Sequence, residues 1–262
     1  MNGFAWLEYG VLKLSGSDRI AFVHGQCSND VRGLAVGAAC RALVLNAKGQ
    51  IEFDIEIVRR SDDLLVLVPL GLETALFERL KRYIIFDDVQ MQIVSHDWRV
   101  LHSTQKLEAL TWAKNRGFGN GWDALLPAIA TPKLEQPLEN PELARVKAGL
   151  PEAHADHFLG WLPQECGLET AVSYKKGCYI GQEIMARLEA RGQPRYQLRQ
   201  VHLAAQVSTA TKILSSTREV GQLGAVLPDN GAWIALATLR RDLEIGAALT
   251  AAGVPIQLAR DI

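Results

Sequence analysis

The residues of this chain that are best placed to do chemistry lie in the segment Lys176–Glu183, which reads KGCYIGQE. Its two glycines allow a tight turn or a close approach of the backbone to a ligand. A helix is predicted from Ile180 to Glu189, so Cys178 is expected near a helix N-terminus, where partial positive charge favours a thiolate. Cys178 is therefore a candidate functional thiol, with Lys176 as the cation that supports it. The alternative is a small buried cysteine without a chemical role.

The composition indicates a folded protein with more than one compact unit. The chain has 262 residues, of which 48% are hydrophobic and 22% charged, and its net charge is −1. Such a balance gives no drive toward nucleic acid or membrane, and we expect no direct contact with either. No apolar run approaches the ~20 residues that cross a bilayer.

Cysteine usage predicts a cytoplasmic protein with reduced thiols and no stably bound metal. The four cysteines form no C-x-x-C pair, and no histidine lies at zinc-finger spacing from them. Free thiols persist in the reducing cytosol. The cysteines are Cys27, Cys40, Cys166 and Cys178.

The first 95 residues alternate between strand and helix patterns. In Ile51–Val58 apolar residues alternate with acidic ones, which is typical of a strand with one exposed face. Gly71–Tyr83 carries apolar residues at helical spacing. These patterns predict an α+β sheet with helices packed on one side. The other predicted elements here are strands at Tyr9–Leu14, Arg41–Asn46, Leu64–Pro69 and Val89–Ser95, a helix at Arg19–Cys27 and a helical turn at Asn29–Leu34.

The rest of the chain predicts two further units. Trp98–Leu126 is expected to supply strands, with Trp112 and Trp122 in the core or in a cleft, and Asn140–Ala148 reads as a helix that starts at an Asn-Pro cap. From Tyr196 onward, regularly spaced glycines divide the chain into short strands, as in a small barrel. The predicted lobes are residues 1–95, 96–195 (which carries KGCYIGQE) and 196–262.

The segment Lys176–Glu183 resembles the signature of the YgfZ-type proteins. These are relatives of the glycine-cleavage T-protein, an aminomethyltransferase, and they include mitochondrial iron–sulfur assembly factors. Residues 22–31 (FVHGQCSNDV), 145–151 (RVKAGLP), 162–165 (LPQE) and 221–239 are similar to other segments of the family, in the same order. The resemblance implies the aminomethyltransferase-like folate-binding fold, with antiparallel sheets and helices around a central channel and a small C-terminal β-barrel.

The resemblance also implies that the channel binds tetrahydrofolate or a derivative of it. A pterin ring needs a flat apolar slot and a carboxylate or amide at its edge, and the anionic tail needs arginines. The alternatives are that Asn29 caps a turn, Arg145 lies on a helix surface and Tyr83 belongs to the core. The candidate edge partners are Gln26, Asn29, Gln182 and Glu183, the candidate slot walls are Tyr83, Trp161 and Tyr179, and the candidate tail partners are Arg145 and Arg187.

One departure from the family decides between two kinds of function. Aminomethyltransferases carry an Asp-Asp pair shortly after a glycine turn, and here Phe53 stands in place of the first aspartate. Phenylalanine cannot exchange a proton or hold charge next to an amine. Strand alternation turns Asp54 to the opposite face from Phe53. A classical aminomethyltransferase is therefore disfavoured, and whether the protein is an enzyme stays open.

Three hypotheses follow. The first is a folate-binding accessory protein for iron–sulfur cluster assembly or repair that supports iron–sulfur enzymes such as tRNA-modifying ones. Its partners would be folate and iron–sulfur enzymes or assembly proteins, and Cys178 would meet a cluster, a persulfide or a partner's thiol. The second is a folate-dependent one-carbon transferase or demethylase. The third is a scaffold in which Cys178 only packs.

Overall fold

The computed structural model of the protein describes residues 3–104, 106, 110–113, 121–133, 136–244 and 246–259. Within these ranges there are four α-helices and sixteen β-strands. The helices are α1 (Arg19–Gln26), α2 (Glu73–Lys81), α3 (Pro141–Lys147) and α4 (Gln182–Arg191). The strands up to residue 93 are β1 (Gly3–Leu7), β2 (Tyr9–Ser15), β3 (Ala39–Leu45), β4 (Ile51–Arg59), β5 (Leu64–Pro69) and β6 (Gln90–Ile93). The later strands are β7 (Trp98–Ser103), β8 (Leu110–Ala113), β9 (Trp122–Pro127), β10 (Gln136–Pro137), β11 (Tyr196–Leu203), β12 (Lys212–Ser215), β13 (Arg218–Asp229), β14 (Ala232–Arg240), β15 (Leu249–Ala251) and β16 (Val254–Leu258).

One antiparallel sheet has the strand order β3-β4-β5-β2-β6 and is covered on both faces. On one face, Phe22 of α1 and Leu76 of α2 pack against strand residues such as Val66. On the other face, Leu43 of β3 packs with residues of the later chain, including Phe158. The sheet therefore lies in the middle of the layers instead of at the protein surface.

The expectation that β4 has an exposed acidic face is wrong. Asp54 is 0% exposed and Glu56 is 2% exposed. The pairing of β3 with β4 also shifts register between Val44 and Leu45, which interrupts the regular alternation between Ile51 and Phe53. The alternating pattern shows which residues share a face, but it carries no signal for the second layer that covers that face.

The second sheet has the order β10-β1-β7-β9-β8, so the N-terminal strand β1 pairs with strands from the middle of the chain. Trp122 is half-buried in β9, whereas the side chain of Trp112 in β8 lies outside the described part of the structure. The third unit is a closed barrel of β11-β14-β13-β12-β15-β16, as the glycine spacing predicts. The lobe limits 1–95, 96–195 and 196–262 remain predictions.

Two local predictions have opposite outcomes. The Asn-Pro start of α3 is confirmed, because Asn140 Oδ1 accepts a hydrogen bond of 3.0 Å from Leu143 N. The helical turn predicted at Asn29–Leu34 is wrong, and the chain forms bends there. Asn29 fixes these bends, since its side chain donates to Arg41 O at 2.8 Å and accepts from Asp30 N at 2.8 Å.

Candidate functional site

The signature segment, residues 176–183, runs as an irregular loop into the start of α4. Gly181 precedes this helix with a φ of +86°, and a Cβ built there would lie 2.7 Å from Asn46 O. Any side chain at this position would collide with the β3–β4 turn. By contrast, a Cβ at Gly177 would have its nearest neighbour, His24 Nε2, at 3.9 Å. Gly181 therefore holds the C-terminal end of the loop against the sheet, while Gly177 has no comparable steric role.

Cys178 is exposed on this loop. The helix predicted from Ile180 begins at Gln182 instead, because Gly181 has a left-handed conformation that a helix does not accommodate. Cys178 thus lies outside the first helical turn, where the field of the helix is strongest. The thiol is accessible to a partner, and the helix that it was expected to lie near begins four residues after it, at Gln182.

Lys176 is buried, with 8% of its surface exposed, and points away from solvent. Its Nζ donates to Cys27 O at 2.7 Å, to Asn29 O at 2.9 Å and to His24 O. These three bonds use all three N–H donors of the ammonium group. Nζ also lies 4.8 Å from the centroid of the Tyr179 ring. Lys176 therefore fastens the signature segment to the end of α1.

The last turn of α1 and the bends after it, residues 24–31, carry the groups that surround the Lys176 ammonium. Burial, assisted by the charge of Lys176, lowers the pKa of His24. Burial raises the pKa of the Cys27 thiol, and Lys176 opposes that rise. His24 Nδ1 lies 3.4 Å from Asp30 Oδ1. The ammonium group is thus the dominant charge of this interior, and sequence reasoning missed that His24 and Cys27 face it.

Thiol labelling with a disulfide reagent should separate the cysteines by their surroundings. Cys178 should react first, because it is exposed, while Cys27 and Cys166 should react only as the protein unfolds. Burial raises the pKa of both buried thiols, so little thiolate forms there. Stopped-flow absorbance measures the rates. The fast phase should be absent from Cys178→Ala, and a fast phase that persists in this variant would contradict the assignment.

Two buried polar atoms of the candidate folate residues have no hydrogen-bond partner among the described residues. They are Gln26 Oε1, in the last turn of α1, and the hydroxyl oxygen of Tyr179. Burial raises the pKa of Tyr179 to about 12, which keeps its hydroxyl protonated. Because buried polar groups are normally paired, both atoms are suited to meet a polar ligand. Lys176 joins the elements that carry them.

The other predicted slot and edge residues are more scattered. Trp161 is half-buried, and its ring meets Tyr196 edge-on with centroids 4.9 Å apart. Gln182 is the first residue of α4 and is half-buried. Tyr83 lies beyond the end of α2 with 42% of its surface exposed, and Arg79 lies over its ring at 4.5 Å. Tyr83 is therefore not the core residue of the alternative interpretation.

Glu183 and Arg187 pair with each other on the outer surface of α4. Arg187 Nη2 lies 2.5 Å from Glu183 Oε1, and the two side chains are 70% and 76% exposed for arginine and glutamate respectively. An i,i+4 pair of this kind contributes little to stability. Both side chains are free to rearrange toward a ligand at the surface.

Arg145 is built into the protein interior. Its Nη1 donates to Asp156 Oδ2 at 2.7 Å and to Leu150 O at 2.7 Å, and its Nε donates to Glu142 Oε2 at 3.0 Å. Burial would lower the pKa of Arg145, but the carboxylates of Asp156 and Glu142 outweigh it and raise the pKa. The guanidinium of Arg145 already uses its donors on these partners and has no pair of N–H groups left for a folate carboxylate. The predicted role in binding the folate tail and the alternative of a surface arginine are therefore both wrong.

Asp54, the second residue of the expected acidic pair, is also committed. Arg41 holds it through two bonds, Nε to Oδ1 at 2.9 Å and Nη2 to Oδ2 at 2.5 Å. Ala153 N also donates to Oδ2 at 3.2 Å. Phe53 lies on the other face of β4 and packs against the core cluster that contains Ile55 and Ile57, as strand alternation predicts. The signal that was missed is the pair of opposite charges, Arg41 and Asp54, on two strands that pair with each other.

Comparison with known proteins connects these features to a family. No family model matches the chain. An uncharacterized protein of Haemophilus influenzae is 28% identical over 191 residues, which cover 71% of this chain and 68% of that protein. The tRNA-modifying protein YgfZ of Enterobacter sp. (strain 638) is 26% identical over 281 residues, which cover 90% of this chain and 85% of that protein. The chain is a relative of YgfZ.

The fold of this YgfZ relative is that of the aminomethyltransferases. The crystal structure of the glycine cleavage system aminomethyltransferase T from Bartonella henselae matches with a TM-score of 0.76 over 98% of this chain and 84% of that one. The two sequences are 14% identical, so the likeness concerns the fold. The predicted aminomethyltransferase-like α+β fold with a C-terminal barrel is confirmed.

Two features of the described part of the chain concern membranes and metal ions. No helix in these ranges is long and apolar enough to span a bilayer. In the same ranges, no three side chains of His, Cys, Asp or Glu are grouped so that they could hold a metal ion. The signature segment combines the exposed thiol of Cys178 with the buried hydroxyl of Tyr179, which has no partner among the described residues.

Proposed function

We propose that this chain is a folate-binding accessory protein that supports the assembly or repair of iron–sulfur enzymes, including tRNA-modifying ones. The observation that carries the proposal is the exposed thiol of Cys178 within a YgfZ-like signature segment. The relationship to proteins named as tRNA-modifying points to the same class of clients. Four free cysteines and the lack of a C-x-x-C pair accord with a cytoplasmic protein.

The loop that carries Cys178 is anchored on both sides. Lys176 ties it to the end of α1, and Gly181 fits closely under the β3–β4 turn. A thiol held in this way is presented to a partner at low entropic cost. Thiolates bind iron and attack sulfur, but a stable cluster takes about four ligands. Contact with a cluster, a persulfide or a partner's thiol would therefore be transient or shared between chains.

The residues beside the signature segment fit a pterin. Gln26 Oε1 can accept one of the N–H groups on a pterin edge, and the Tyr179 hydroxyl can meet a second polar atom. Trp161 and Gln182 are half-buried and remain candidate contacts, whereas Asn29 already uses its amide on backbone groups. Bound tetrahydrofolate would supply nitrogens that carry one-carbon units. Arg187 remains the candidate for its anionic tail, and Arg145 does not.

The geometry disfavours the alternative of a one-carbon transferase. General acid–base catalysis needs a carboxylate that is free to exchange a proton at the reacting nitrogen. Asp54 is 0% exposed and is held by Arg41 on the face opposite Phe53. Neither Asp54 nor Phe53 therefore offers a carboxylate that is free to exchange a proton.

The test is complementation in a host that lacks its own relative of this chain. The activity of an iron–sulfur tRNA-modifying enzyme is measured from the modified nucleoside in total tRNA, with variants expressed at equal abundance. Wild type should restore the modification, and Cys178→Ala should lose most of that rescue. Cys40→Ala, a half-buried cysteine in β3, is the matched control and should rescue like wild type.

The folate part of the proposal has its own readout. Tetrahydrofolate should quench tryptophan fluorescence of the wild type with saturation, and Gln26→Leu should weaken binding by about tenfold, since it removes a buried hydrogen-bond acceptor. If Cys178→Ala rescues fully, the thiol is structural. If folate binds but no iron–sulfur activity depends on the protein, the accessory role fails and one-carbon turnover becomes the reaction to assay.

A further inference from the structure

The C-terminal barrel contains a cavity at one open end, outside the site described above. Its volume is about 510 Å³, within the range of about 300–1,000 Å³ that is typical of small-ligand sites. It is lined by the start of β11, the end of β14, the loop that follows β14 and parts of β15 and β16. Mouths of β-barrels are common places for such sites.

Strand alternation explains why this end of the barrel is hollow. In β11, Val201 and Leu203 belong to the buried barrel core, so Gln197 and Arg199 project toward the same inner side. Among the described residues, which end at 259 on this side, β16 pairs with β11 at Val201–Leu203, and Ala259 N adds one bond to Gln200 O. The first residues of β11 therefore extend past the end of β16, and their polar side chains replace the apolar filling of the barrel.

The floor of the cavity is apolar and consists of well-packed core residues. Leu239 is 1% exposed, Leu249 is 4% exposed and Ile256 is 8% exposed, and all three belong to the barrel core. Leu258 lies at the mouth with 53% of its surface exposed. An apolar group of a ligand can thus enter on Leu258 and rest on the core without disturbing the barrel.

Arginines are the most frequent charged residues that line the cavity. Three arginines, Arg199, Arg240 and Arg241, line the cavity together with one acidic residue, Glu244. Asp242 holds Arg240 through bonds of 2.7 and 2.5 Å and so offsets its charge. Arg241 uses its Nε on Tyr196 O at 3.4 Å, and within the described ranges its terminal nitrogens meet no carboxylate. This guanidinium is available to receive an anion.

We propose that the open end of the barrel is a binding site for a small organic anion with an apolar body. The apolar part rests on Leu239, Leu249 and Ile256, and the anionic group lies at the rim, where it accepts hydrogen bonds from the Nη atoms of Arg241. Guanidinium groups favour carboxylate, sulfonate and phosphate because their parallel N–H groups match two oxygens. Gln197 and Gln257 offer further polar contacts at the same rim.

The test uses the fluorescent probe 8-anilinonaphthalene-1-sulfonate, which combines an aromatic body with one sulfonate. Wild type should bind it with saturation, and Arg241→Gln should weaken the affinity by about tenfold, the usual effect of losing a charged hydrogen bond. Added salt should weaken wild-type binding more than binding to the variant. The uncharged N-phenyl-1-naphthylamine should bind both proteins equally and more weakly than the sulfonate.

Two further variants keep the test decisive. Arg82→Gln removes an exposed arginine beyond α2 and should leave probe binding unchanged. Phe86→Ser removes the most exposed large apolar side chain of the described residues, which is 98% exposed and is the obvious competing place for the probe. If Arg241→Gln binds like wild type, or if Phe86→Ser alone abolishes binding, the barrel site is refuted. Tetrahydrofolate titrations of Arg241→Gln, unchanged from wild type, would keep this site separate from the proposed folate site.

Discussion

Replacing Arg145 with alanine should destabilise the protein by about 3–5 kcal/mol, the usual cost of removing one partner from a buried ion pair. Arg145 is 2% exposed and Asp156 is 0% exposed, so the remaining carboxylate would stay in the interior without its counter-charge. Because domains are commonly stable by about 5–15 kcal/mol, the loss would be a large fraction of the total. Urea unfolding followed by circular dichroism measures it.

The loss should be large because the pair joins three parts of the molecule. Asp156 accepts from Glu152 N at 2.9 Å and from Ala225 N at 3.2 Å, and Ala225 belongs to β13 of the barrel. Arg145 belongs to α3 and also donates to Leu150 O. Removing the guanidinium thus loosens the contact between α3, the following loop and the barrel at once.

Two controls make the result interpretable. Arg187→Ala removes an arginine from an exposed ion pair and should leave the urea midpoint unchanged. The double variant Arg145→Met with Asp156→Leu replaces the pair by apolar side chains and should recover part of the loss. If Arg145→Ala were as stable as wild type but no longer bound tetrahydrofolate, the folate-tail role predicted for Arg145 would be reinstated.

Elements whose formation depends on local sequence were predictable. Leu64–Pro69 is predicted and observed as a strand with the same limits, because the turn residues Ser61-Asp62-Asp63 precede it. The Asn140 cap followed from one Asn-Pro step. The barrel followed from the spacing of glycines, and the fold class from the resemblance together with the strand and helix patterns.

Features that depend on what packs against an element were not predictable. The burial of Asp54 requires knowledge of Arg41, which lies across the β3–β4 pair, and of Ala153, which lies about a hundred residues later. The commitment of Arg145 likewise depends on Asp156 and the barrel. Spacing along the chain shows which residues share an element, whereas these partnerships arise only in the folded layers.

The signature segment illustrates both cases. The exposure of the Cys178 loop and the close approach at Gly181 agree with a glycine-rich turn. The direction of Lys176 does not follow from the sequence, since a lysine two residues from a cysteine suggests a charge that supports the thiol. The folded chain directs it instead to carbonyl oxygens at the end of α1.

Lys176→Met should therefore destabilise the protein by about 3 kcal/mol, mainly because it leaves buried carbonyl oxygens without donors. Methionine keeps the length of the aliphatic stem, so packing is largely preserved. The carbonyls of His24, Cys27 and Asn29 would each lose a bond from Nζ. Thermal unfolding and amide hydrogen exchange measure the effect, and exchange should rise first in residues 27–31 and in the signature segment.

The matched control is Lys175→Met, which changes the neighbouring lysine of the same segment. Lys175 is exposed, and removing its charge should alter neither stability nor exchange. If Lys176 acted on the thiol instead of the backbone, Lys176→Met would keep its stability but slow the reaction of Cys178 with a disulfide reagent. If Lys176 instead holds the backbone, Lys176→Met should lose stability while the folded fraction keeps the intrinsic reactivity of Cys178. The reason is that Lys176 points toward α1, whereas the thiol faces solvent. The loss of stability, compared with the change in thiol reactivity, thus distinguishes a lysine that holds the loop in place from one that activates Cys178.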